Sequence, residues 1–366
     1  MKIAMIGHKD FPSRAGGVEV VVYELATRLA KRGHRITVFN RSKEPGHNHY
    51  TEEGVEVIRC STSRKQSLNA FLYSVTATFC ALTKGFDLFH YHAIGPSAML
   101  FLPHLLGKKT VATVHGLNWQ IGRWNRFASW YLKTGEKVIA KYADGVIVLS
   151  EEAKRYFAEK YGRDTTVIRN AVTPVTPREP DIIKEKYGLE KDGYILFLAR
   201  LGQEKGAHYL IEAYKALRPD KKLVIAGEVP QNEYGESLKA MAKDDPDIIL
   251  AGFVTGRLME ELFSNTCLYV LPSETEGLPL SLLEAMSCGA RCLTSDIPEN
   301  TTVTGRFGRS FVSKDAASLA EALEKCLAEQ AGAFPREEEM EYIKENYSYE
   351  RAVEETEALY NKICAK

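Results

Sequence analysis

Short apolar runs alternate with longer amphipathic stretches along the first half of this chain. The runs, which are rich in valine and isoleucine, are KIAMIGH, RITVFN, VEVIRC, DLFHYH, KTVATVH and DGVIVLS. The stretch VEVVVYELATRLAKRG, which follows the first run, has helical spacing instead. Such runs with helical stretches between them are typical of parallel strands covered on both faces. The pattern predicts a doubly wound, Rossmann-like α/β domain.

The same alternation restarts after NAVTPVTPREPD, Asn170 to Asp181, which has three prolines and no periodicity and is typical of a linker. The later apolar runs are YILFLAR, KLVIAGE, IILAGFV, CLYVLPS and ARCLTSD, with helices expected at about 207–217 and after Gly277. We therefore predict domains at 1–170 and 171–347, with a ligand-binding cleft between them at the carboxyl ends of both sheets. Residues 348–366 predict a helix that packs back toward the first domain, with one apolar face formed by Val353, Leu359, Tyr360 and Ile363.

Composition supports two domains and excludes several classes of protein. With 366 residues, 45% of them hydrophobic, the chain can bury two cores. Its seven scattered cysteines contain no C-x-x-C pair, which favours reduced thiols in the cytoplasm. No signal-peptide pattern opens the sequence, and the longest apolar stretch, Ala98 to Leu106, is far shorter than the roughly 18 residues of a membrane span. We expect a cytoplasmic protein.

Charge divides unevenly between the two predicted domains. Residues 1–170 hold 25 Lys+Arg against 14 Asp+Glu, and residues 171–366 hold 23 against 34, so the halves carry +11 and −11. The basic half includes RWNRFASWYLKTGEKVIAK, Arg123 to Lys141, which has aromatic and basic residues at helical spacing, and a second basic loop at 59–65. A helix that only covers the sheet explains the aromatic residues of 123–141, whereas an anionic membrane surface explains the charge as well. Nothing in the sequence favours nucleic acid as a partner.

Glycines and histidines follow predicted strands of the first half. Gly16 and Gly17 indicate a turn or a close approach to a ligand, and they lack the G-x-G-x-x-G spacing of a nicotinamide-binding fold. His115 is equally consistent with a structural role and with a ligand contact. His90 and His92 lack a third ligand at metal-like spacing, so we interpret both as structural.

Two stretches of the second half carry complementary charges. Arg200 and Lys205 bracket a loop after a predicted strand and could converge on a diphosphate, although solvated cations are as common. The stretch SETEGLPLSLLEAM has Glu276 beside a turn whose amides could bind an anion at the start of a helix, while Ser281 and Glu284 have the spacing of a capping box. Carboxylates bind hydroxyls and amides bind phosphate, so together the two stretches predict a site for a phosphorylated, hydroxyl-bearing ligand.

These motifs resemble those of the retaining glycosyltransferases of family 4, which have the GT-B fold of two Rossmann-like domains. The E-x7-E motif matches Glu276 to Glu284, the arginine-to-lysine loop matches 199–206, and the N-terminal glycine loop matches Gly16-Gly17-Val18-Glu19. The resemblance implies that Glu284 holds the ribose, Glu276 and His115 the donor sugar, and Arg200 and Lys205 the diphosphate. The implied donor-binding residues also include Gly16, Gly17, Val254, Gly277, Leu278, Leu280 and Ser281.

A metal ion is not expected at this site. Asp245-Pro246-Asp247 has the D-x-D spelling with which many glycosyltransferases bind a divalent ion, but it precedes a predicted strand at its amino end and is typical of a turn. Arg200 and Lys205 would neutralise the diphosphate instead. We therefore predict neither a metal nor a cofactor.

The resemblance implies transfer of a hexose or deoxyhexose from a nucleotide-diphosphate sugar to a glycan or lipid-linked acceptor, in surface polysaccharide or glycolipid synthesis. A sugar-nucleotide epimerase of the same fold and a non-catalytic nucleotide-sugar-binding protein remain alternatives. With a lipid-linked acceptor, the protein would work as a peripheral protein at the inner face of the cell membrane.

Overall fold

Parallel sheets with helices between their strands make up both halves of the chain. The computed structural model describes residues 1–14, 16–42, 49–63, 66–116, 126–329 and 334–365. The chain divides into two compact units, one of residues 1–170 with 349–366 and the other of residues 171–348. The α/β class predicted from the alternation of apolar runs is confirmed.

Among its described residues, the first unit has a sheet of eight strands. They are β1 (Lys2–Ile6), β2 (Arg35–Ser42), β3 (His49–Glu52), β4 (Val55–Ser61), β5 (Leu88–His92), β6 (Lys109–Val114), β7 (Gly145–Val148) and β8 (Thr166–Val167). Their order in the sheet is β3-β4-β2-β1-β5-β6-β7-β8. The pairs are parallel except for β3, which runs antiparallel to β4. Strand order reverses at β1, between β2 and β5, so the loop after β1 lies where ligands bind in doubly wound folds.

Helices cover both faces of this sheet. They are α1 (Gly17–Lys31), α2 (Gln66–Leu82), α3 (Phe101–Leu105), α4 (Arg126–Tyr142), α5 (Glu151–Tyr161) and, at the end of the chain, α14 (Tyr349–Cys364), and a short 3₁₀ turn spans Pro96–Met99. The apolar face predicted for the last helix is buried, since Val353, Tyr360 and Ile363 pack in one core cluster with Ile3 and Met5 of β1.

In the described part of the second unit, six parallel strands form the sheet. They are β9 (Tyr194–Leu198), β10 (Lys222–Ala226), β11 (Ile248–Gly252), β12 (Leu268–Leu271), β13 (Cys292–Ser295) and β14 (Arg309–Phe311). Their order is β11-β10-β9-β12-β13-β14, so strand order reverses at β9, between β10 and β12. The helices are α6 (Ile182–Tyr187), α7 (Ala207–Leu217), α8 (Glu233–Ala242), α9 (Gly256–Asn265), α10 (Leu280–Ser287), α11 (Pro298–Thr304), α12 (Ala316–Ala328) and α13 (Arg336–Asn346), with a 3₁₀ turn at Gln203–Lys205.

The proline-rich segment interpreted as a linker is fixed to the second unit at its start. Val172 and Val175 are buried in the core of that unit. The Val172 amide donates to the Tyr347 carbonyl at 2.9 Å, and the Val175 amide donates to Ser287 Oγ at 3.0 Å. The segment therefore has no regular structure, as its composition predicts, but its first residues are part of a folded core.

Within the described ranges, no helix is both long and apolar enough to cross a membrane.

Candidate functional site

The loops after β9 and β12 touch through a glycine in the second unit. Gly206 has φ +71°, and a Cβ atom there would lie 2.1 Å from the Pro272 carbonyl oxygen, so no other residue fits this backbone approach. Beside it, the Glu274 amide donates to the Glu204 carbonyl at 2.8 Å. The glycine thus lets the arginine-to-lysine loop pack directly against the loop that carries Glu276.

This approach joins Lys205 to Glu276, residues that are far apart in the sequence. Lys205 Nζ lies 2.5 Å from Glu276 Oε1, and Ser273 Oγ donates to the same carboxylate oxygen at 2.7 Å. The side chains of Lys205 and Glu276 are 17% and 6% exposed. Because solvent screens a mostly buried ion pair poorly, the ammonium group holds the Glu276 carboxylate in one position.

A buried chain of hydrogen bonds supports Glu276 from behind. Ser295 Oγ, at the end of β13, donates to the Ser273 carbonyl at 2.5 Å. Asn300 Nδ2, in α11, donates to Ser295 Oγ at 2.9 Å. Ser273, Ser295 and Asn300 are fully buried. These residues were not predicted from the sequence. The sequence marks only Ser273 and Ser295, as polar residues at the ends of apolar strands.

Arg200 takes a different partner. Its guanidinium donates to Glu204 Oε1 at 2.5 Å, and its side chain is 55% exposed. The sequence predicts that Arg200 and Lys205 converge on one anion, whereas here each contacts a different carboxylate. A diphosphate would have to compete with Glu204 for Arg200.

The capping-box interpretation of Ser281 and Glu284 is wrong. Helix α10 begins at Leu280 with Pro279 as its N-cap, which makes no side-chain cap, so Ser281 lies one residue inside the helix. Ser281 Oγ instead bonds to Tyr269 OH at 2.8 Å. The turn of Gly277 and Leu278 leads into this helix start, where first-turn amides point away from the helix and attract anions. Glu284 lies in the second turn and is partly exposed.

Val254 is not presented to a ligand by its side chain. It follows β11 and is 6% exposed, and its apolar side chain belongs to the core cluster of the second unit. Only the backbone of Val254 could take part in donor binding. Its neighbour Phe253 is 57% exposed at the carboxyl end of the same strand and was not predicted as a candidate from the sequence.

Gly16 and Gly17 lie after β1 in the first unit, at the start of α1. Gly16 is the N-cap, in extended conformation, and a Cβ atom there would lie 2.3 Å from Glu19 Oε2. The other carboxylate oxygen of Glu19 accepts a hydrogen bond from the Lys9 amide at 3.1 Å. The glycine therefore makes room for Glu19 to fold back and fix the loop after β1. Ala15 lies outside the described residues.

His115 lies at the carboxyl end of β6 and contacts His92, at the end of β5. His115 Nε2 and His92 Nδ1 are 3.2 Å apart, and the two rings are stacked with centroids 5.4 Å apart. Burial lowers the pKa of His115 to about 4, so the ring is neutral near pH 7. The structural interpretation of His92 is therefore incomplete, because His92 contacts the histidine that the sequence singles out.

His90 fits its structural interpretation. Its Nδ1 bonds to Tyr360 OH at 2.6 Å and its Nε2 to Thr113 Oγ1 at 2.7 Å. Burial lowers the pKa of His90 to about 3, so it too is neutral. This histidine ties the C-terminal helix α14 to the sheet of the first unit.

The D-x-D sequence lies away from these loops. Asp245 and Asp247 flank a turn before β11, at the amino end of that strand, and the Asp247 amide donates to Asp245 Oδ1 at 3.2 Å. Among the residues whose positions are described, no cluster of three or more histidine, cysteine or acidic side chains is arranged to hold a metal ion.

Comparison with known proteins identifies the class of this molecule. The model of glycosyl transferases group 1 matches residues 180–348, and the model of glycosyltransferase family 4 matches residues 15–175. Sucrose-phosphate synthase from Thermosynechococcus elongatus has a similar structure, with a TM-score of 0.86 and 20% identity over 100% of this chain and 99% of that one. HepE from Anabaena, solved in complex with UDP and glucose, has a TM-score of 0.82 and 16% identity over 99% and 100% of the two chains.

The fold is thus the GT-B fold of glycosyltransferases. The GDP-mannose-dependent alpha-(1-6)-phosphatidylinositol monomannoside mannosyltransferase of Mycolicibacterium smegmatis is 28% identical over 87% of this chain and 88% of its own length. The chain belongs to the family 4-like glycosyltransferases and is a transferase of glycosyl groups.

Proposed function

We propose that the protein transfers a hexose or deoxyhexose from a nucleotide-diphosphate sugar, with retention of configuration at the anomeric carbon, to a glycan or lipid-linked acceptor in surface polysaccharide or glycolipid synthesis. The observation that carries this proposal is the Lys205–Glu276 pair beside the start of α10, with Glu284 eight residues further along. Membership of a glycosyltransferase family favours transfer over the epimerase and the non-catalytic binder.

Four charged residues of the second unit, Arg200, Lys205, Glu276 and Glu284, have roles in this proposal. Lys205 and the exposed guanidinium of Arg200 face the negative charge that develops on the leaving diphosphate, together with first-turn amides of α10 and the turn at Gly277 and Leu278. Glu284 binds the ribose hydroxyls. Glu276 accepts hydrogen bonds from hydroxyls of the transferred sugar, and binding of the diphosphate to Lys205 would loosen the Lys205–Glu276 pair and release the carboxylate for that contact.

The first unit supplies His115 and the glycine loop. A neutral histidine can donate a hydrogen bond to a sugar hydroxyl, and at neutral pH it keeps that form because burial lowers its pKa to about 4. The loop at Gly16 and Gly17, held by Glu19, would offer backbone amides to the donor. We assign no metal to the reaction because cationic side chains can neutralise the diphosphate.

A panel of UDP, GDP and dTDP sugars tests the proposal by thermal shift, since a ligand that binds the native state raises the melting temperature. We expect one nucleotide to stabilise the protein well above the others and Lys205→Ala to weaken that shift. Turnover of the selected donor in EDTA, followed by NMR of the first product, then tests metal independence and retention. Loss of activity that manganese restores would contradict the metal assignment, and an inverted linkage would contradict the mechanism.

We further propose that the first unit docks on anionic membrane, as a lipid-linked acceptor would require. Helix α2 has no charged residue, and its side chains Phe71, Leu72 and Phe79 are 39%, 39% and 55% exposed. Helix α4 adjoins it, since the rings of Phe71 and Tyr131 are 5.5 Å apart. Its exposed side carries a tryptophan and lysines at helical spacing, Trp130, Lys133, Lys137 and Lys141.

This surface supports a peripheral location at the inner face of the cell membrane. Exposed aromatic groups enter the interface of a bilayer, and lysines bind its anionic phosphates. Parts of the basic segments that prompted the hypothesis, residues 64–65 and 123–125, lie outside the described residues.

A further inference from the structure

The contact between His92 and His115 limits which ring nitrogens can carry protons. Both rings are neutral near pH 7, because burial lowers the pKa of His115 to about 4 and that of His92 well below its usual value. A neutral imidazole has one N–H donor and one bare acceptor nitrogen. Across the 3.2 Å contact, therefore, one of the two nitrogens donates and the other accepts.

The far side of His92 decides between the two arrangements. His92 is fully buried, and its Nε2 has no hydrogen-bond partner among the described residues. An N–H group buried without an acceptor is rarer in proteins than an under-satisfied acceptor. The proton of His92 is thus favoured on Nδ1, the nitrogen that has a partner.

We propose that His92 is a positioning residue whose Nδ1–H donates to His115 Nε2 and fixes His115 as the Nδ1–H tautomer. His115 then turns one defined group, an N–H donor, away from His92. Such a group fits an oxygen acceptor such as a sugar hydroxyl. This last step rests on the proposed function of His115, whereas the tautomer itself does not.

His90 holds the ring of His92 in place without bonding to it. The centroids of the two rings are 4.1 Å apart, and both nitrogens of His90 are engaged by Tyr360 and Thr113. Since His90 has no nitrogen left for His92, it restrains the plane of that ring by packing alone. The C-terminal helix thereby contributes to the orientation of His115 through Tyr360.

Two substitutions at His92 separate the hydrogen bond from the packing. His92→Asn places an amide nitrogen near the Nδ1 position and keeps a donor, while His92→Phe keeps a stacked ring and removes the donor. Histidine tautomers are read from long-range ¹H–¹⁵N NMR spectra of the ligand-free protein labelled with ¹⁵N-histidine, with the His115 signals assigned by their loss in His115→Asn.

We expect the Nδ1–H pattern for His115 in the wild type and in His92→Asn, and a shift toward Nε2–H, the form that predominates in water, in His92→Phe. An Nε2–H pattern in the wild type, or an unchanged tautomer in His92→Phe, would overturn the proposal. If His92→Phe does not unfold cooperatively in a thermal melt, His92→Gln replaces it, because this variant also lacks a donor at the Nδ1 position.

Turnover distinguishes this proposal from the proposed function. With the donor selected by the nucleotide-sugar panel, we expect kcat to fall about tenfold in His92→Phe, the effect of one lost hydrogen bond, and to recover in His92→Asn. If the tautomer shifts and kcat does not change, His92 positions His115 as proposed, and the assignment of His115 to the donor sugar fails.

Discussion

Glu276 is held by two donors on one oxygen, and this geometry suits it to clamp a reacting sugar. Lys205 Nζ and Ser273 Oγ both bond to Oε1. When a diphosphate takes Lys205, the Ser273 hydroxyl would still hold the carboxylate, which would therefore lose little entropy when it binds a sugar hydroxyl. In the proposed reaction it would also face the positive charge that develops on the sugar, where a carboxylate contributes most.

Glu276→Gln should therefore lower kcat by about a hundredfold or more while the fold is kept, since it removes an interaction that strengthens in the transition state. Glu284→Ala should instead raise the KM for the donor strongly and leave kcat less changed, because ribose contacts are shared by the ground and transition states. Steady-state kinetics of the two variants, with circular dichroism as the control for folding, checks this contrast. Near-normal turnover by folded Glu276→Gln would remove Glu276 from the reaction.

Glu339 is a buried carboxyl group that takes no part in the proposed reaction. It lies in α13, fully buried, and neither carboxyl oxygen has a partner among the described residues. Burial raises the pKa of Glu339 to about 9. The folded protein therefore holds a proton on Glu339 at neutral pH that the unfolded chain releases.

This difference predicts that stability falls as pH rises. Glu339 contributes most to the free energy of unfolding below its unfolded pKa of about 4.5. Between that pH and its folded pKa near 9, each pH unit lowers the free energy of unfolding by up to about 1.4 kcal/mol. Glu339→Gln should remove that slope, so its melting temperature should exceed that of the wild type by more at pH 8 than at pH 6. Glu337→Gln, at an exposed position of the same helix, is the control. Parallel melting curves for wild type and Glu339→Gln across this range would contradict the prediction.

At the scale of elements, the ends of β12 and β13 and the start of α11 act together. The Ser273 carbonyl is held by Ser295, which is held in turn by Asn300. Removing the Ser295 hydroxyl leaves the buried Ser273 carbonyl without its partner and leaves the Asn300 amide only its longer hydrogen bond, to the Ser295 carbonyl at 3.4 Å. An unsatisfied buried group costs about 1–3 kcal/mol in comparable cases. Removing the hydroxyl also frees the backbone from which Glu276 extends.

Ser295→Ala should thus lower both the melting temperature and kcat. The matched control is Thr266→Val, which also removes one buried hydroxyl from the second unit but at the amino end of β12, away from Glu276. The control should lose stability without a comparable loss of kcat. Equal losses of kcat in the two variants would mean that the Ser295 chain contributes only stability.

The long apolar strands were predictable from sequence, and the short ones were not. β1 and β9 are continuous apolar runs that are buried on both faces, so pattern alone finds them. β3 and β8, with four and two residues and mostly polar side chains, pair at the sheet edges because a neighbouring strand is present. Their formation depends on tertiary contacts that a local pattern does not contain.

The site was predictable in its residues and not in its pairings. Glu276 and Lys205 were found as separate motifs, but their ion pair depends on the approach of Gly206 to Pro272, which only the fold produces. Likewise, β5 and β6 are adjacent and parallel, and this register brings His92 to His115. Ser281 shows the opposite case, in which a local capping pattern gives way to a hydrogen bond with Tyr269, a residue of the neighbouring strand β12.

At the scale of the whole molecule, opposite net charges distinguish the two halves of a neutral chain. Residues 1–170 carry +11 and residues 171–366 carry −11. The nucleotide-sugar donor requires only a few fixed cations, so it does not explain a surplus of this size in the first half. Contact with an anionic surface would explain the positive surplus, because each basic residue near such a surface is attracted by about 1 kcal/mol.

We therefore predict that the protein binds anionic vesicles and that salt weakens this binding, since salt screens exposed charges. Flotation with phosphatidylglycerol-containing and phosphatidylcholine vesicles, at low and high salt, measures this binding.

Replacing Lys133, Lys137 and Lys141 with glutamine should remove most of the binding at low salt. Phe79→Ser should weaken the binding that remains at high salt, because it removes apolar burial and leaves the charge unchanged. Lys239→Gln, at an exposed position of α8 in the second unit, is the charge control. Equal binding to both lipids, or none at either salt, would instead favour a soluble acidic acceptor as the partner of the basic half.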